Sequence, residues 1–292
     1  MIDFPKTGVG IGLRRALMKP LQEREVKPVD FLEVAPENWM QLGGRLGQQF
    51  SWFSDHYPIF CHGLSLSIGS TDKLDTGFVL ELKKFFARHH VVHYSEHLSF
   101  CGGDGGHLYD LMPMPFTEDA VRHVAARVRQ VQDILEQKIS LENISYYANL
   151  KTDEGEAFLS EAEFVKAVLE EADCYLLLDV NNIYVNSINH RYNCHDFLYS
   201  MPAERVSYIH VAGHYDEAED LKIDTHGSAV KDPVWALLDA AYQYVGVVPT
   251  LLERDFNIPP LDEVLAEVGR IRAIQGNIVQ QTQRQSTGRK TA

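Results

Sequence analysis

Histidine, glutamate or aspartate sits at the end of nearly every short apolar run in this chain. Pro58-Ile-Phe-Cys-His62 ends in an imidazole, as does the run from Val91 to His97. Ile139-Ser-Leu-Glu142, Tyr175-Leu-Leu-Leu-Asp179 and Val248-Pro-Thr-Leu-Leu-Glu253 each end in a carboxylate. Val206-Ser-Tyr-Ile-His210 supplies another imidazole with His214 four residues beyond it, and an Asp224-Thr-His226 triplet lies in the following loop. A lone strand histidine is ordinarily a core residue, so the joint placement carries the argument. A carboxylate at the end of a largely apolar buried run is expensive unless paired or metal-bound. Arg254 can neutralise one of these carboxylates, but too few Lys or Arg stand at the run ends to neutralise all of them. One or two divalent cations would. Nitrogen and oxygen ligands without thiolate suit iron, zinc or manganese. Glu142 or Glu253 has two oxygens with which to bridge two ions, and Asp224 with His226 makes a two-ligand clip. His214 reads equally as a ligand, a proton-transfer group or a rim residue.

These side chains meet only if the runs are parallel strands. Gly8–Leu13, Phe31–Val34, Ile59–His62, Val91–His97, Ile139–Glu142, Tyr175–Asp179, Val206–His210 and Val247–Glu253 are the expected strands. Strand residues alternate in direction, so His97 faces the site and Glu96 faces away. Helices are expected between them. Leu80–Ala87 has helical spacing, and Thr117 caps a helix buried along Val121, Val124, Val128, Val131 and Leu135. Ser160 and Glu163 form a capping box, Asp232-Pro233 opens a helix, and Pro259–Ile274 makes the last one. Eight strands alternating with helices predict an α/β fold, a single (β/α)8 TIM barrel, whose ligands gather at the C-terminal face. Long loops are expected there over 100–116, 180–193 and 211–231. The glycine-rich Cys101–Gly106 lacks the lysine of a phosphate loop and reads as a mobile lid. Tyr146, Tyr147 and Tyr184 stand beside strand ends, where aromatics line a groove or simply pack. Residues 1–274 form the metal-binding catalytic domain, and the polar, aperiodic 275–292 reads as a disordered tail.

Bulk properties narrow the partners. A formal net charge of -14 disfavours nucleic acid and anionic membrane. No apolar run approaches roughly 18 residues, and the N-terminus has no signal-peptide pattern. The four cysteines, Cys61, Cys101, Cys174 and Cys194, show no zinc-finger spacing and read as reduced thiols of a cytoplasmic protein.

The segments GVGIGLR, FLEVAPENW, CHGLSLSIG, SEHLSF, LENIS, LDVNNIYVN, IHVAGH, DTHG and LLERD span nearly the whole chain. Together they resemble the multinuclear non-haem iron-dependent oxidative enzymes typified by the methanobactin-biosynthesis oxidase, a group within the xylose-isomerase-like barrels. The resemblance implies that His62, His97, Glu142, Asp179, His210, Asp224, His226 and Glu253 are metal ligands. The ordered ligand set is also similar to that of endonuclease IV. That enzyme has a histidine three residues after the aspartate corresponding to Asp179, where this chain has Asn182, a poorer ligand. The departure weakens the case for a fixed trinuclear zinc centre and favours the oxidase group. The same resemblance implies two or three iron ions, O2 as oxidant, a cysteine-containing precursor peptide as substrate, and a separate partner protein that presents it. His214, Asn182 and Asn143 are the candidate catalytic or ligand-orienting residues. Zinc or manganese remains the alternative metal set, for a hydrolase or isomerase of the endonuclease IV or xylose isomerase type. A metal-storage scaffold is the non-enzymatic alternative.

Overall fold

The computed structural model describes residues 7–103, 105–148 and 159–288. Eight strands close into a parallel barrel: β1 (Val9–Gly12), β2 (Phe31–Val34), β3 (Ile59–Gly63), β4 (His93–His97), β7 (Ser140–Glu142), β8 (Tyr175–Asp179), β9 (Val206–Ala212) and β12 (Thr250–Glu253). They are neighbours in chain order, with β12 closing against β1. Two antiparallel hairpins interrupt the alternation, β5 (Phe100–Gly103) with β6 (Gly106–Met112), and β10 (Tyr215–Ala218) with β11 (Leu221–Ile223). The helices are α1 (Arg15–Gln22), α2 (Gly44–His56), α3 (Thr76–His89), α4 (Glu118–Leu135), α5 (Glu161–Ala172), α6 (Val180–His190), α7 (Cys194–Ser200), α8 (Asp232–Val245) and α9 (Leu261–Gly288).

Local signals explain most helix starts. Thr117 accepts from Ala120 N at 3.2 Å, and α4 buries the valine stripe through Leu135. Ser160 and Glu163 form the expected capping box of α5. At α8 the capping position is Lys231 rather than Asp232, which falls in the first turn beside Pro233. A small apolar layer fills the barrel: Phe31, Phe60, Leu177, Tyr208 and Leu251. Phe31 stacks on Phe60 at 4.4 Å between ring centroids. A Cβ on Gly10 would collide with the Phe31 ring, so only glycine lets β1 pass that close. The larger core lies between barrel and helices, and Cys61 is buried within it rather than turned to the mouth.

Three expectations are corrected. The stretch 180–193 is largely helical, because Asp179 caps α6 by accepting from Asn182 N at 2.6 Å. The segment at Cys101–Gly106 belongs to the β5–β6 hairpin, turning at Gly105 with φ of +75°; Asp104 lies outside the described residues. The chain from Gln275 does not leave the fold. Helix α9 continues to Gly288, with Gln275 donating to Tyr242 Oη at 3.1 Å and Ile278 in the core. Residues 289–292 lie outside the described residues. No helix among the described residues is long and apolar enough to cross a membrane.

Candidate metal centre

Five barrel strands carry the same inward pair two residues apart, an apolar side chain followed by an ionisable one. The pairs are Phe31 and Glu33 on β2, Phe60 and His62 on β3, Leu177 and Asp179 on β8, Tyr208 and His210 on β9, and Leu251 and Glu253 on β12. With a strand period of two, the apolar members stack as one layer and the ionisable members form the next, nearer the mouth. Above them opens a cavity of about 440 Å³, rimmed by Arg14, Asn38, Leu64, Cys101, Asp110 and Leu111.

Two donor groups share Glu142. In the first, His62 Nε2 is 2.9 Å and His97 Nε2 3.3 Å from Glu142 Oε2, and the two imidazole nitrogens are 3.1 Å apart. Each ring is held from behind: His62 Nδ1 lies 2.8 Å from Ser95 Oγ, and His97 Nδ1 lies 2.9 Å from the Gly63 carbonyl. Both Nε2 atoms are therefore turned to the same point. In the second group, Glu142, Asp179, His210 and Glu253 bring one donor atom each within 4.8 Å of one another. His210 Nδ1 stands 3.0 Å from Glu253 Oε2. A third set adjoins these: His226 Nε2 is 2.7 Å from Asp224 Oδ1, while His226 Nδ1 lies 3.4 Å from Glu253 Oε2 and 3.5 Å from Asp255 Oδ2.

Metal fit is tested by the atoms left unpaired. Glu142 Oε2, Asp179 Oδ2, His210 Nδ1, His226 Nε2 and Glu253 Oε2 are buried and make no well-directed hydrogen bond. What lies closest to them is other site donors, at 2.9 Å for Glu142 Oε2 and His62 Nε2, 3.0 Å for His210 Nδ1 and Glu253 Oε2, and 2.7 Å for His226 Nε2 and Asp224 Oδ1. Buried polar atoms are ordinarily satisfied, so donors that converge on one another without well-formed hydrogen bonds suit a cation between them. The residues fit a divalent metal of the borderline class.

With protons as the only counter-charges, the titration shifts are large. Burial presses His62 down, but the Glu142 carboxylate more than offsets it and raises the group to about 9. His210 is likewise raised well above the ordinary imidazole range, with Glu33 and Glu253 outweighing burial, and His226 with Asp224 and Glu253. Burial and then the adjacent His62 lower His97 to about 4. Burial, reinforced by Glu142, raises Asp179 well above the carboxylate range.

Of the candidate orienting residues, Asn182 Nδ2 donates to Glu142 Oε1 at 3.2 Å and leaves its own Oδ1 unpaired. Asn143 clamps the backbone of Asp179 through two hydrogen bonds of 2.9 Å. His214 is not gathered with the donor groups and is not a rim residue, being 1% exposed. Its Nδ1 lies 2.8 Å from Asn181 Oδ1, and Asn181 Nδ2 donates to Asp224 Oδ1 at 2.9 Å. Arg254 pairs with Glu267 rather than with a site carboxylate. Sequence reasoning passed over Glu33 and Asp255. Glu33 was detectable, because Phe31-Leu-Glu33 repeats the pattern of Leu251-Leu-Glu253.

A closed parallel barrel with imidazoles and carboxylates gathered at one mouth defines a TIM barrel with a candidate metal site. The fold is similar to that of a xylose isomerase domain protein from Planctomyces limnophilus, with a TM-score of 0.59 and 14% identity, covering 95% of this chain and 99% of that one. Endonuclease IV from Thermus thermophilus gives a TM-score of 0.56 at 14% identity, covering 92% and 99%. At such identity the likeness is one of fold. A UPF0276 protein of Shewanella loihica is 58% identical over 276 residues, 94% of this chain and 97% of that protein. Residues 8–276 match the family described as RiPP precursor modification enzyme MbnB/TglH/ChrH, and the chain belongs to that family.

Proposed function

We propose that this chain is a cytoplasmic oxidoreductase that uses two or three iron ions and O2 to modify cysteine residues of a ribosomally made precursor peptide, with a partner protein presenting that peptide. The observation that carries the reading is the set of buried, unpaired donor atoms meeting around Glu142 in a member of this family. His62, His97 and Glu142 would hold one ion. Asp179, His210 and Glu253, with Glu142 shared, would hold the second, and Asp224 with His226 any third. When bound, the iron supplies the electrons for O2 reduction and the Lewis acidity that favours a substrate thiolate. The chain's own residues position and shield. Asn182 fixes one Glu142 oxygen, Asn143 fixes the strand end that carries Asp179, and His214 steadies Asp224 through Asn181. We therefore place His214 among the positioning residues. The net charge of -14 disfavours a nucleic-acid substrate on the same barrel.

The test is to incubate anaerobically purified, iron-loaded protein with a cysteine-bearing candidate precursor peptide and a candidate partner protein, then admit O2. The reading predicts a mass change confined to cysteine-containing fragments and dependent on iron and O2. A peptide left unchanged by iron and O2, together with O2-independent turnover of a sugar or phosphodiester substrate by the zinc- or manganese-loaded protein, would establish the hydrolase or isomerase alternative instead.

A further inference from the structure

Beneath the donor groups, one buried carboxylate touches His210 directly and reaches His62 through Tyr208 and Ser95. Glu33, 4% exposed, has its oxygens 3.0 and 3.2 Å from His210 Nε2, and Oε2 accepts from Tyr208 Oη at 2.8 Å. Tyr208 Oη is also 2.5 Å from Ser95 Oγ, which lies 2.8 Å from His62 Nδ1. Tyr208 and Ser95 are fully buried, so water does not compete for these bonds.

The donors can be ordered along the chain. Glu33 accepts, so the Tyr208 hydroxyl proton points to it. The phenol then has only lone pairs for Ser95, and Ser95 must donate to Tyr208. The alternative Ser95 acceptor, the Cys61 carbonyl, is 3.4 Å away. Ser95 therefore accepts from His62 Nδ1–H, which leaves Nε2, facing Glu142, as the nitrogen that a metal would take in exchange for its proton. On the other branch His210 donates from Nε2 to Glu33, which leaves Nδ1, beside Glu253, as the nitrogen for a metal. The two histidines thus present opposite ring nitrogens to the site because one carboxylate orders both. The opposite assignment, with Glu33 itself a ligand, is disfavoured: its oxygens are taken by Tyr208 and His210, and Glu33 is absent from the gathered donor groups.

We infer that Glu33 is a positioning residue that fixes His62 and His210 through a single buried hydrogen-bond chain and so couples the two halves of the centre. The inference rests on the metal reading above. In metalloproteins a partner behind a ligating histidine commonly changes metal affinity by about 10–100-fold. Ser95→Ala cuts only the branch to His62. Glu33→Gln keeps the shape but replaces the common acceptor, whose amide now competes as a donor toward both branches.

The experiment is cadmium-113 NMR with parallel cadmium titrations on the full chain, comparing the wild type with Ser95→Ala and Glu33→Gln. The expected result is distinct bound-cadmium resonances in the wild type. Ser95→Ala should shift mainly the resonance that His97→Ala abolishes and weaken that site by about 10–100-fold. Glu33→Gln should shift that resonance and the one that Asp179→Ala abolishes. If Glu33 merely fills space, Glu33→Gln lowers the melting temperature while both resonances and both affinities stay put, which overturns the inference and leaves the metal reading standing. A Ser95→Ala variant that moves neither resonance also overturns the chain. A folded wild type that binds no cadmium overturns the metal reading, and the inference with it.

Discussion

Metal uptake by this site must expel protons, and their number follows from the site's charges. At pH 7 His62 carries a proton, because Glu142 lifts it to about 9 against the pull of burial. His210 and His226 are raised well above the usual imidazole range by Glu33, Glu253 and Asp224 despite burial, and burial with Glu142 raises Asp179 well above the usual carboxylate range. His97, lowered to about 4 by burial and the adjacent His62, has no proton to give. Ligating nitrogens and carboxylates must be deprotonated, so filling the site at pH 7 should release the His62 proton, and the upward shifts of His210, His226 and Asp179 act in the same direction. Removing one proton at pH 7 from a group with a pKa of about 9 costs about 2.7 kcal/mol, two units at 1.36 kcal/mol each. The loading constant should then rise about tenfold per pH unit near pH 7 for each proton released, and the His62 contribution should flatten above about pH 9. The sign is the same for stability without metal. The raised His62 contributes fully below about pH 6.5, and its contribution is lost as pH rises through about 9. Isothermal titration calorimetry with manganese or zinc, in buffers of different ionisation enthalpy at pH 7, counts the protons directly. A binding heat that does not depend on the buffer would refute the assignment of these groups as ligands.

Further outcomes follow from packing and burial. Gly63→Ala drives a Cβ into Glu96 Oε1 and Tyr94 Oη, so urea unfolding should show a loss of about 1–3 kcal/mol, with strain passed to the strand end behind His62. Burial raises the Glu161 carboxyl to about 7 despite hydrogen bonds from Asn186 and Tyr146. The wild type should therefore be most stable at this group below about pH 4.5 and lose that contribution as pH rises through about 7, while Glu161→Gln should flatten the trend in melting temperature. Truncation after Ile274 removes the buried Ile278 and the Gln275 hydrogen bonds, and should cost at least about 1.5–3 kcal/mol in the same unfolding assay.

The barrel was legible because each strand reads as a short apolar run and strand period fixes which ionisable residue turns inward. His62, His97, Glu142, Asp179, His210 and Glu253 all follow from that rule, with Glu96 turned away to accept from Leu66 N and Tyr94 Oη. Helix α6 was not legible, since Asn181, Asn182, Asn186 and Asn189 are weak helix formers. Their side chains instead bond to Asp224, Glu142, Glu161 and the Lys222 carbonyl, tertiary contacts that outweigh propensity. The polar start of the tail misleads for a related reason: Gln275 is buried at the bottom of the barrel, where its amide meets Tyr242 and backbone carbonyls. Glu33 fits the rule that found the others, but its role appears only once Tyr208 and His210 are brought across the barrel to it.

The most direct measurement is metal analysis with Mössbauer spectroscopy on anaerobically purified wild type and Glu142→Ala. Glu142 is the carboxylate common to the group containing His62 and the group containing Asp179, which also share His210. The account predicts two or three irons per wild-type chain with coupled spectra, and loss of most iron from a folded Glu142→Ala. A wild type that takes up no transition metal, or a Glu142→Ala variant that keeps its full complement, would contradict it.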